Sequence, residues 1–391
     1  MPSVAFYLSA ATGSVNSNHP LWSQPLPNQR PGKSPPPHAA PTAPCTYGDY
    51  FTAVARFCST DKWSLLLRAV SKKQSRRFRA ADLEHLSVVL EKHGAFYHPA
   101  RLLVTAAGET VALVVNVATS EEGRRTLPQE INALQRLHHQ RPFGWFPEVY
   151  GSNAMADPPL FLGDWFDGFH EFHLTRPAGG NELAIRVWDE ASPGSLLSEN
   201  QSMDLYRKAA MILAACYDPL TARQIFPWHH AAGDFVVKVQ AAGVSVRLVT
   251  VRDYAPMTGL APAPDSLRKI LDTLILFFIH LSIRMRLDRL EGVGEILWAP
   301  GACLKPMVDG FFEGLGLTAR LSGLPETFPG IFQRYCNRHS QAVFLTLARH
   351  ITEAVFDRKT EERRVVLNHL DRHIHRLCRL LSTPSAGVRR A

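Results

Sequence analysis

Trp228-His229-His230-Ala231-Ala232-Gly233-Asp234-Phe235-Val236-Val237-Lys238 is the stretch that decides the fold, and Val251-Arg252-Asp253-Tyr254 completes it. Between the two runs lie apolar, β-branched segments joined by Ala241-Ala242-Gly243, a pattern that predicts a β-hairpin. One Asp precedes the first predicted strand, and another follows the second strand nineteen residues later. The spacing therefore predicts that the carboxylates of Asp234 and Asp253 lie at the same end of one hairpin.

Two carboxylates held in this way suit a particular kind of chemistry. One can orient or deprotonate an attacking hydroxyl, while the other holds Mg²⁺ against the phosphates of a nucleotide. A structural interpretation is equally open for each residue. Asp234 is also typical of a turn residue that caps its own backbone, and Arg252-Asp253 is also typical of an exposed charged pair at a strand end.

The composition is that of a globular protein. Of 391 residues, 46% are hydrophobic and 20% are charged, and the length suits two or three domain-sized units or one two-lobed enzyme with a tail. The net charge of +8 favours anionic partners such as nucleotides, nucleic acid or membrane surfaces. The six cysteines show no CxxC spacing, which predicts reduced thiols in a cytoplasmic protein. The longest apolar run, 270–283, is too short for a membrane span and predicts a buried helix.

Composition and periodicity divide the chain into five segments. They are a disordered proline-rich tail (1–45), a helical N-terminal segment (46–96), a strand-rich lobe (97–190), a helical lobe that contains the hairpin (191–382) and a C-terminal tail (383–391). Within the second segment, the apolar residues of 83–90 recur at helical spacing. Six cations fall within residues 68–79, a cluster that either binds phosphates or forms a solvated face.

Secondary structure is predicted with more detail on either side of the hairpin. Strands at 100–104 and 111–117 flank a turn, and a helix is predicted to begin near Pro128. After Asp265 the pattern predicts helices only, at 266–290, 303–315, 328–356 and 361–381. On the last of these, His369 and His373 lie at i and i+4, a metal-compatible spacing that is more typical of a solvated helix face.

This order of elements, together with His230 and Gly233-Asp234, resembles the protein-kinase-like fold, and in particular its aminoglycoside and choline phosphotransferase branch. The resemblance covers about 190 residues, from Ala100 to Leu290. It implies an α+β, two-lobed protein-kinase-like fold with a strand-rich N-lobe and a helical C-lobe. It also implies ATP and Mg²⁺ as cofactors and a hydroxyl on a small molecule or a protein as the phosphate acceptor.

The resemblance implies roles for individual residues. Asp234 corresponds to the residue that accepts or orients the substrate hydroxyl, Asp253 to the metal-binding Asp, and His230 to the organiser of the catalytic loop. Glu130 lies on the helix where the family keeps a Glu that pairs with a strand lysine; a first-turn acid favoured by the helix dipole is the alternative. The segment 163–172 corresponds to the hinge, whose backbone groups meet an adenine edge.

The sequence also departs from the family pattern. The strand lysine that clamps the nucleotide phosphates has no equivalent in 111–117, where the nearest counterpart is Asn116. Val239 stands where the family has an Asn as second metal ligand, and no glycine-rich loop precedes Ala100. Electrostatic stabilisation is typically worth several kcal/mol per group, so phosphate transfer would require a substitute cation.

The candidates for that cation are Lys238, Arg252 and the 68–79 cluster, and three functions stay open. The first is a nucleotide-binding phosphotransferase that uses ATP and Mg²⁺. The second is a catalytically degenerate pseudokinase that acts as a binding or regulatory module. The third is association with an anionic surface or nucleic acid through 68–79, in which case affinity falls steeply with salt.

Overall fold

The chain has a mixed α+β architecture, with a strand-rich sheet in its first half and a helical second half. The computed structural model describes residues 2–9, 13–27, 45–94, 96–177, 179–180, 182–188, 194–229, 233–257 and 265–383. The chain falls into two compact units, which are Met1–Gln140 with Pro147–Asp167 and Arg141–Phe146 with Gly168–Ala391. The predicted α+β class, strand-rich first and helical second, is confirmed.

The division between the units lies after Asp167, inside the predicted hinge segment 163–172. In the described residues, the strands within 172–196 pair with one another and not with the six-stranded sheet, whereas the predicted lobe boundary lies at residue 190. Residues 46–96 belong to the first unit and do not form a segment of their own, since their strand lies within that unit's sheet.

A six-stranded sheet forms the framework of the first unit. The elements of this unit are, in chain order, β1 (Ser3–Leu8), α1 (Tyr47–Lys73), β2 (Leu83–Leu90), β3 (His98–Ala106), β4 (Glu109–Val117), α2 (Glu121–Gln140), β5 (Val149–Asn153) and β6 (Leu160–Asp164). The strand order is β1-β2-β3-β4-β6-β5. Strand β1 runs parallel to β2, and the other neighbours are antiparallel. Helix α2 therefore connects β4 to the edge strand β5.

One face of this sheet shares a core with α1. On β3, fully buried side chains alternate with half-buried ones, as the two-residue period of a strand requires. Leu102 and Val104 of β3 belong to the same core as Phe51 and Val54 of α1. The helix leaves helical geometry at residues 60–63, and both of its parts contribute buried apolar residues.

Residues 83–90 form strand β2, so the predicted helix there is wrong. Spacing alone does not separate a short apolar run in a buried strand from one in a helix, and here pairing on both sides decides for the strand. The partner on one side is residues 3–8, for which the predicted disorder is also wrong. They pair in parallel from Ser3 opposite His85 to Leu8 opposite Leu90. The proline-rich part of the predicted tail, 28–44, lies outside the described residues.

The hairpin of β3 and β4 confirms the prediction for residues 100–117. Helix α2 begins at Glu121, so the predicted start near Pro128 is wrong and this proline lies inside the helix. Glu130 is consequently a mid-helix residue. The alternative in which it is a first-turn acid favoured by the helix dipole is excluded, because that effect fades beyond the first turn.

The second unit combines small sheets with six helices in its described residues. Its elements are β7 (Phe172–Thr175), β8 (Ala184–Val187), β9 (Ser195–Leu196), α3 (Glu199–Cys216), β10 (Arg223–Ile225), β11 (Phe235–Gln240), β12 (Gly243–Leu248), β13 (Tyr254–Pro256), α4 (Leu267–Arg284), β14 (Leu287–Arg289), β15 (Ile296–Trp298), α5 (Leu304–Leu321), α6 (Phe328–Cys336), α7 (Gln341–Val355) and α8 (Glu361–Ser382). The strands pair as β7-β8-β9, β10-β13, β11-β12 and β14-β15.

Helix α4 lies at the centre of this unit and confirms the buried helix predicted at 270–283. Phe278 is fully buried, and its ring centroid lies 4.5 Å from that of Phe311 on α5 and 6.0 Å from that of Phe332 on α6. Among the described residues, no helix has the length and apolar character needed to cross a membrane. All six cysteines are free thiols, as predicted, and four of them are buried.

Two of the four helices predicted after Asp265 are shorter than predicted, while those predicted at 303–315 and 361–381 extend to Leu321 and Ser382. The helix expected over 266–290 ends at Arg284, and the hairpin of β14 and β15 follows it. The helix expected over 328–356 is interrupted after Cys336, and Ser340 caps the new helix α7 by accepting a hydrogen bond from the Val343 N–H. The predicted C-terminal tail lies outside the described residues from 384 onwards.

If β1 is an integral strand, truncating Phe6 will destabilise the protein. Its ring centroid lies 5.7 Å from that of Trp22 and 5.0 Å from that of Phe51. We expect Phe6→Ala to cost about 1–3 kcal/mol, less than a fully buried Phe because the side chain is only partly buried. Urea unfolding measures the change, and exposed Ser17→Ala is the neutral control. A Phe6→Ala variant as stable as this control would contradict the structure of β1.

Candidate functional site

The hairpin of β11 and β12 brings the predicted site residues to one of its ends. Strand β11 begins directly after Asp234, with Phe235 opposite Leu248, and the Val249 N–H donates to the Asp234 carbonyl oxygen over 2.7 Å. The predicted hairpin is confirmed, and its second strand ends at Leu248. The chain then continues to Arg252, which lies at the same end of the hairpin as Asp234.

Asp234 forms a bidentate ion pair with Arg252. Nη1 of Arg252 donates to Oδ2 and Nη2 donates to Oδ1, each over 2.6 Å. The backbone N–H of His229 donates to Oδ2 as well, over 2.7 Å. The carboxylate is almost completely buried, since the Asp234 side chain is 1% exposed and that of Arg252 is 17% exposed. The direct partner of Asp234 is therefore the cation next to Asp253.

The loop that presents Asp234 is held from two sides. Gly233 has φ of +75°, in the left-handed region that favours glycine. Arg284, the last residue of α4, donates from Nε and Nη2 to the Trp228 carbonyl oxygen over 3.2 and 3.1 Å. Burial lowers the pKa of Arg284 to about 10, and the Asp234 carboxylate opposes this shift. Sequence reasoning missed Arg284, for which the signal is a cation at the end of an apolar helix.

Asp253 has different surroundings from Asp234. It is half-buried, and its Oδ1 accepts a hydrogen bond from the backbone N–H of Tyr254 over 2.7 Å. Its carboxylate forms no ion pair with any residue that the structure describes. Within the same described ranges, no group of three or more His, Cys, Asp or Glu is arranged to hold a metal ion. Asp253 could therefore supply one carboxylate ligand to a metal ion.

Two further predicted site residues, His230 and Lys238, belong to the hairpin region. His230, predicted to organise the loop, lies outside the described residues. Lys238 is exposed on β11, where its backbone pairs with Ser245. Its Nζ lies beside Gly168, since a Cβ built on that glycine would be 3.2 Å away from it. The predicted catalytic role of Lys238 stays a prediction.

The two candidates of the first unit lie on neighbouring elements. Asn116 is half-buried on β4, with Pro99 and Phe161 as its cross-strand neighbours. Glu130 is 2% exposed on α2, the helix that follows β4. Their predicted part in nucleotide binding stays a prediction.

Three of the six cations of the 68–79 cluster, Lys72, Lys73 and Arg76, lie within 4.0 Å of acidic side chains of the first unit. Nζ of Lys73 lies 3.4 Å from Oδ1 of Asp164, and it donates to the carbonyl oxygens of Ala112 and Trp165, each over 3.0 Å. Lys72 pairs with Glu148 at 2.5 Å. Trp165 lies in the predicted hinge segment 163–172, whose backbone groups are expected to contact adenine. Its carbonyl oxygen already accepts a hydrogen bond from Lys73.

These contacts limit what the site can do chemically. A general base needs an available lone pair within hydrogen-bond reach of the proton that it removes. The Asp234 carboxylate instead receives three N–H donors in a buried position. Arg252, a candidate for the missing phosphate clamp, donates twice to the same carboxylate. Asp234 and Arg252 therefore form a buried, bidentate ion pair.

Among solved protein structures, 59 chains match this one. The crystal structure of choline kinase from Cryptosporidium parvum Iowa II is 10% identical over a region that covers 81% of this chain and 99% of that chain, with a TM-score of 0.36. No family model matches the chain. No curated protein sequence matches it. A similarity at this level assigns no activity to the residues described above.

Replacing Arg252 will destabilise the protein more than replacing a surface partner. Arg252→Gln leaves the buried Asp234 carboxylate without a cation, and we expect a loss of about 3–5 kcal/mol. Lys305→Gln is the matched control in the same unit, because Lys305 pairs with Asp309 at 2.6 Å while 66% exposed; we expect it to change stability by at most about 1 kcal/mol. Urea unfolding compares the two variants. Equal stability would show that the Asp234–Arg252 pair contributes nothing structural.

Proposed function

We propose that this chain is a kinase-like binding module that does not transfer phosphate. The observation that carries the proposal is the bidentate ion pair between Asp234 and Arg252. It ties together the residue predicted as catalytic base and one of the cations predicted to replace the missing phosphate clamp. The proposal corresponds to the pseudokinase alternative and disfavours an active phosphotransferase.

Other residues support the same conclusion. Val239, at the place of a second metal ligand, is 40% exposed and apolar, so it offers no ligand oxygen in its side chain. Asn116 carries no charge, and Lys73 donates to two carbonyl oxygens beside Asp164. Since charge compensation at the phosphates is a large part of catalysis in phosphoryl transfer, a site without these groups would lose most of its rate.

The residues present fit Mg²⁺ only in part. Mg²⁺ is commonly held by one or two carboxylates together with substrate phosphates. Asp253 could supply one carboxylate, while the carboxylate of Asp234 is already paired. A second candidate function follows from Asp253 alone: binding of a magnesium nucleotide without transfer, as a signal that changes partner binding.

The third possibility, association with nucleic acid or an anionic surface through residues 68–79, gains no support. Lys72, Lys73 and Arg76 each lie within 4.0 Å of an acidic side chain of the same unit, at 2.5, 3.4 and 3.8 Å. Internal pairing of this kind reduces the net positive field that phosphate contacts require.

Phosphate transfer provides the first test. We expect the release of γ-phosphate from ATP with Mg²⁺ to be the same for the wild type and for Asp234→Asn, because Asp234 does not act as a base. Radiolabelled ATP measures both release and self-phosphorylation, and Lys305→Gln controls for a general effect of substitution. Release by the wild type that falls by about 10²–10⁴-fold in Asp234→Asn, the usual contribution of a general base, would overturn the proposal.

Nucleotide binding provides the test of the second candidate. Calorimetry with ATP and Mg²⁺ is expected to give saturable binding that is lost in Asp253→Ala and after removal of Mg²⁺, because Asp253 would hold the metal, which would neutralise phosphate charge. Asp309→Ala, on α5, is the control for loss of a half-buried carboxylate. Binding that is absent from the wild type, or unchanged in Asp253→Ala, would eliminate nucleotide sensing and leave a nucleotide-independent module.

A further inference from the structure

A cationic pocket lies in the second unit, between the hairpin of β14 and β15 and helix α8. Its volume is about 230 Å³, and its lining includes Arg286, Trp298, His369, Arg372, His373 and Arg376. Four of these residues lie on α8 at positions i, i+3, i+4 and i+7, which places them on one side of the helix. None of them belongs to the region around Asp234, so the pocket is independent of the function proposed above.

The charge of the pocket is unbalanced. Three arginines line it, and no Asp or Glu is part of its lining. In the part of the chain that the structure describes, neither Arg372 nor Arg376 forms an ion pair with an acidic side chain. The acids nearest in sequence have other partners, since Glu362 pairs with Arg289 and Asp371 with Arg349. The cations are therefore available to an external anion.

The guanidinium of Arg286 is held in place by hydrogen bonds and lines the pocket from a buried position. It is 5% exposed, and its Nε and Nη2 both donate to the carbonyl oxygen of Ala299. Its guanidinium lies 4.7 Å from the ring centroid of Trp298, whose indole stacks on His369 at 5.4 Å with an interplanar angle of 6°. Because this guanidinium is already held in one position, ligand binding costs little further side-chain entropy, and the affinity for the ligand is higher.

His373 has a buried ring nitrogen that can accept a hydrogen bond but receives none from the described residues. It is 0% exposed, and Ser282 Oγ lies 2.9 Å from its Nε2. Because the Ser282 hydroxyl donates to the Ile279 carbonyl oxygen, it accepts from Nε2–H, which leaves Nδ1 as the unprotonated nitrogen. Nδ1 has no hydrogen-bond partner among the described residues. Burial, with a contribution from Arg286, lowers the pKa of His373 to about 3, so the ring is neutral at neutral pH.

The size of the pocket restricts its ligand. A volume of about 230 Å³ is several times the space that one water occupies, yet it is below the range of pockets for drug-sized molecules. The ligand must be small, must be anionic to suit the three arginines, and must donate a hydrogen bond to suit Nδ1 of His373. A phosphate group with one protonated oxygen meets all three conditions, because it keeps a negative charge and has a P–OH donor, whereas a carboxylate has no donor.

We propose that this pocket binds a phosphate group, either as a small soluble phosphomonoester or as the headgroup of a lipid. Arg372 and Arg376 contact the phosphate oxygens from α8, Arg286 contributes its charge from beneath, and His373 accepts the hydrogen bond of the protonated oxygen. The pocket is a binding site and not a reaction centre.

Calorimetry on the full chain tests the proposal with inorganic phosphate and glycerol 3-phosphate as probes. The wild type is expected to bind both saturably, and Arg372→Gln or Arg376→Gln to bind each probe about tenfold or more weakly, the effect of losing a charge-assisted hydrogen bond. Arg379→Gln is the matched control, because Arg379 lies on the same helix, is exposed and is not in the lining. Wild-type binding that is absent, or that Arg379→Gln weakens as much as Arg376→Gln, would overturn the proposal.

A second variant removes the contact without changing the net charge. A Cβ built on Gly301 would come within 1.8 Å of Nη1 of Arg376, so Gly301→Ala must displace this guanidinium. We expect Gly301→Ala to weaken phosphate binding about as much as Arg376→Gln while the unfolding midpoint stays close to that of the wild type. Unchanged binding by Gly301→Ala would contradict the placement of Arg376 at the ligand.

Two further probes examine the donor and the source of the phosphate. Sulfate has the tetrahedral shape of phosphate and at least its negative charge, but it has no O–H group. We therefore expect sulfate to bind about tenfold more weakly than phosphate at mildly acidic pH, and equal affinity would exclude the His373 contact. Sedimentation with vesicles of phosphatidylcholine, with and without phosphatidic acid, separates the sources. Sedimentation that needs phosphatidic acid and is lost in Arg376→Gln assigns the phosphate to a lipid, and its absence assigns it to a soluble ester.

Discussion

The ion pair between Asp234 and Arg252 is the interaction on which the local structure around the hairpin depends. A carboxylate that is 1% exposed is strongly unfavourable unless a cation and hydrogen bonds compensate it. Arg252 supplies both with two bonds of 2.6 Å, and it does so from the segment after β12, at the same end of the hairpin as Asp234. The pair therefore fixes the loop before β11 to the segment after β12, and Arg284 anchors the same loop through the Trp228 carbonyl oxygen.

Charges in this molecule serve two different purposes. Arg252 and Lys73 are candidates for the substitute cation of a phosphotransferase, and both donate hydrogen bonds to acceptors within the protein. The arginines of α8 have no acidic partner among the described residues and line a pocket instead. The cations behind the net charge of +8 therefore have different roles in different parts of the chain. A fold does not imply a function, and here the arrangement of charge argues for recognition of anions and partners over chemistry on a nucleotide.

Local sequence patterns predicted a large part of this structure. The hairpin of β3 and β4 and the buried helix α4 follow from alternation and from a long apolar run, and both are confirmed. Residues 83–90 could not be assigned in the same way, because a parallel partner far away in the chain, β1, decides their conformation. The partner of Asp234 does not follow from the spacing either. Arg252 and Asp253 lie between β12 and β13, outside any strand, so the two-residue period of a strand does not decide which of them reaches the carboxylate. The burial of His373 depends on β15 and α4, which helical spacing cannot reveal.

A double-mutant cycle between Asp234 and Arg252 is the most direct measurement of the central claim. The unfolding free energies of the wild type, Asp234→Asn, Arg252→Gln and the double variant give the coupling between the two side chains. A structural ion pair with two hydrogen bonds in a buried position predicts that the double variant recovers part of the loss, with a coupling of about 1.5–3 kcal/mol. A coupling near zero would mean that Asp234 and Arg252 act independently, and it would return Asp234 to the list of candidate catalytic bases.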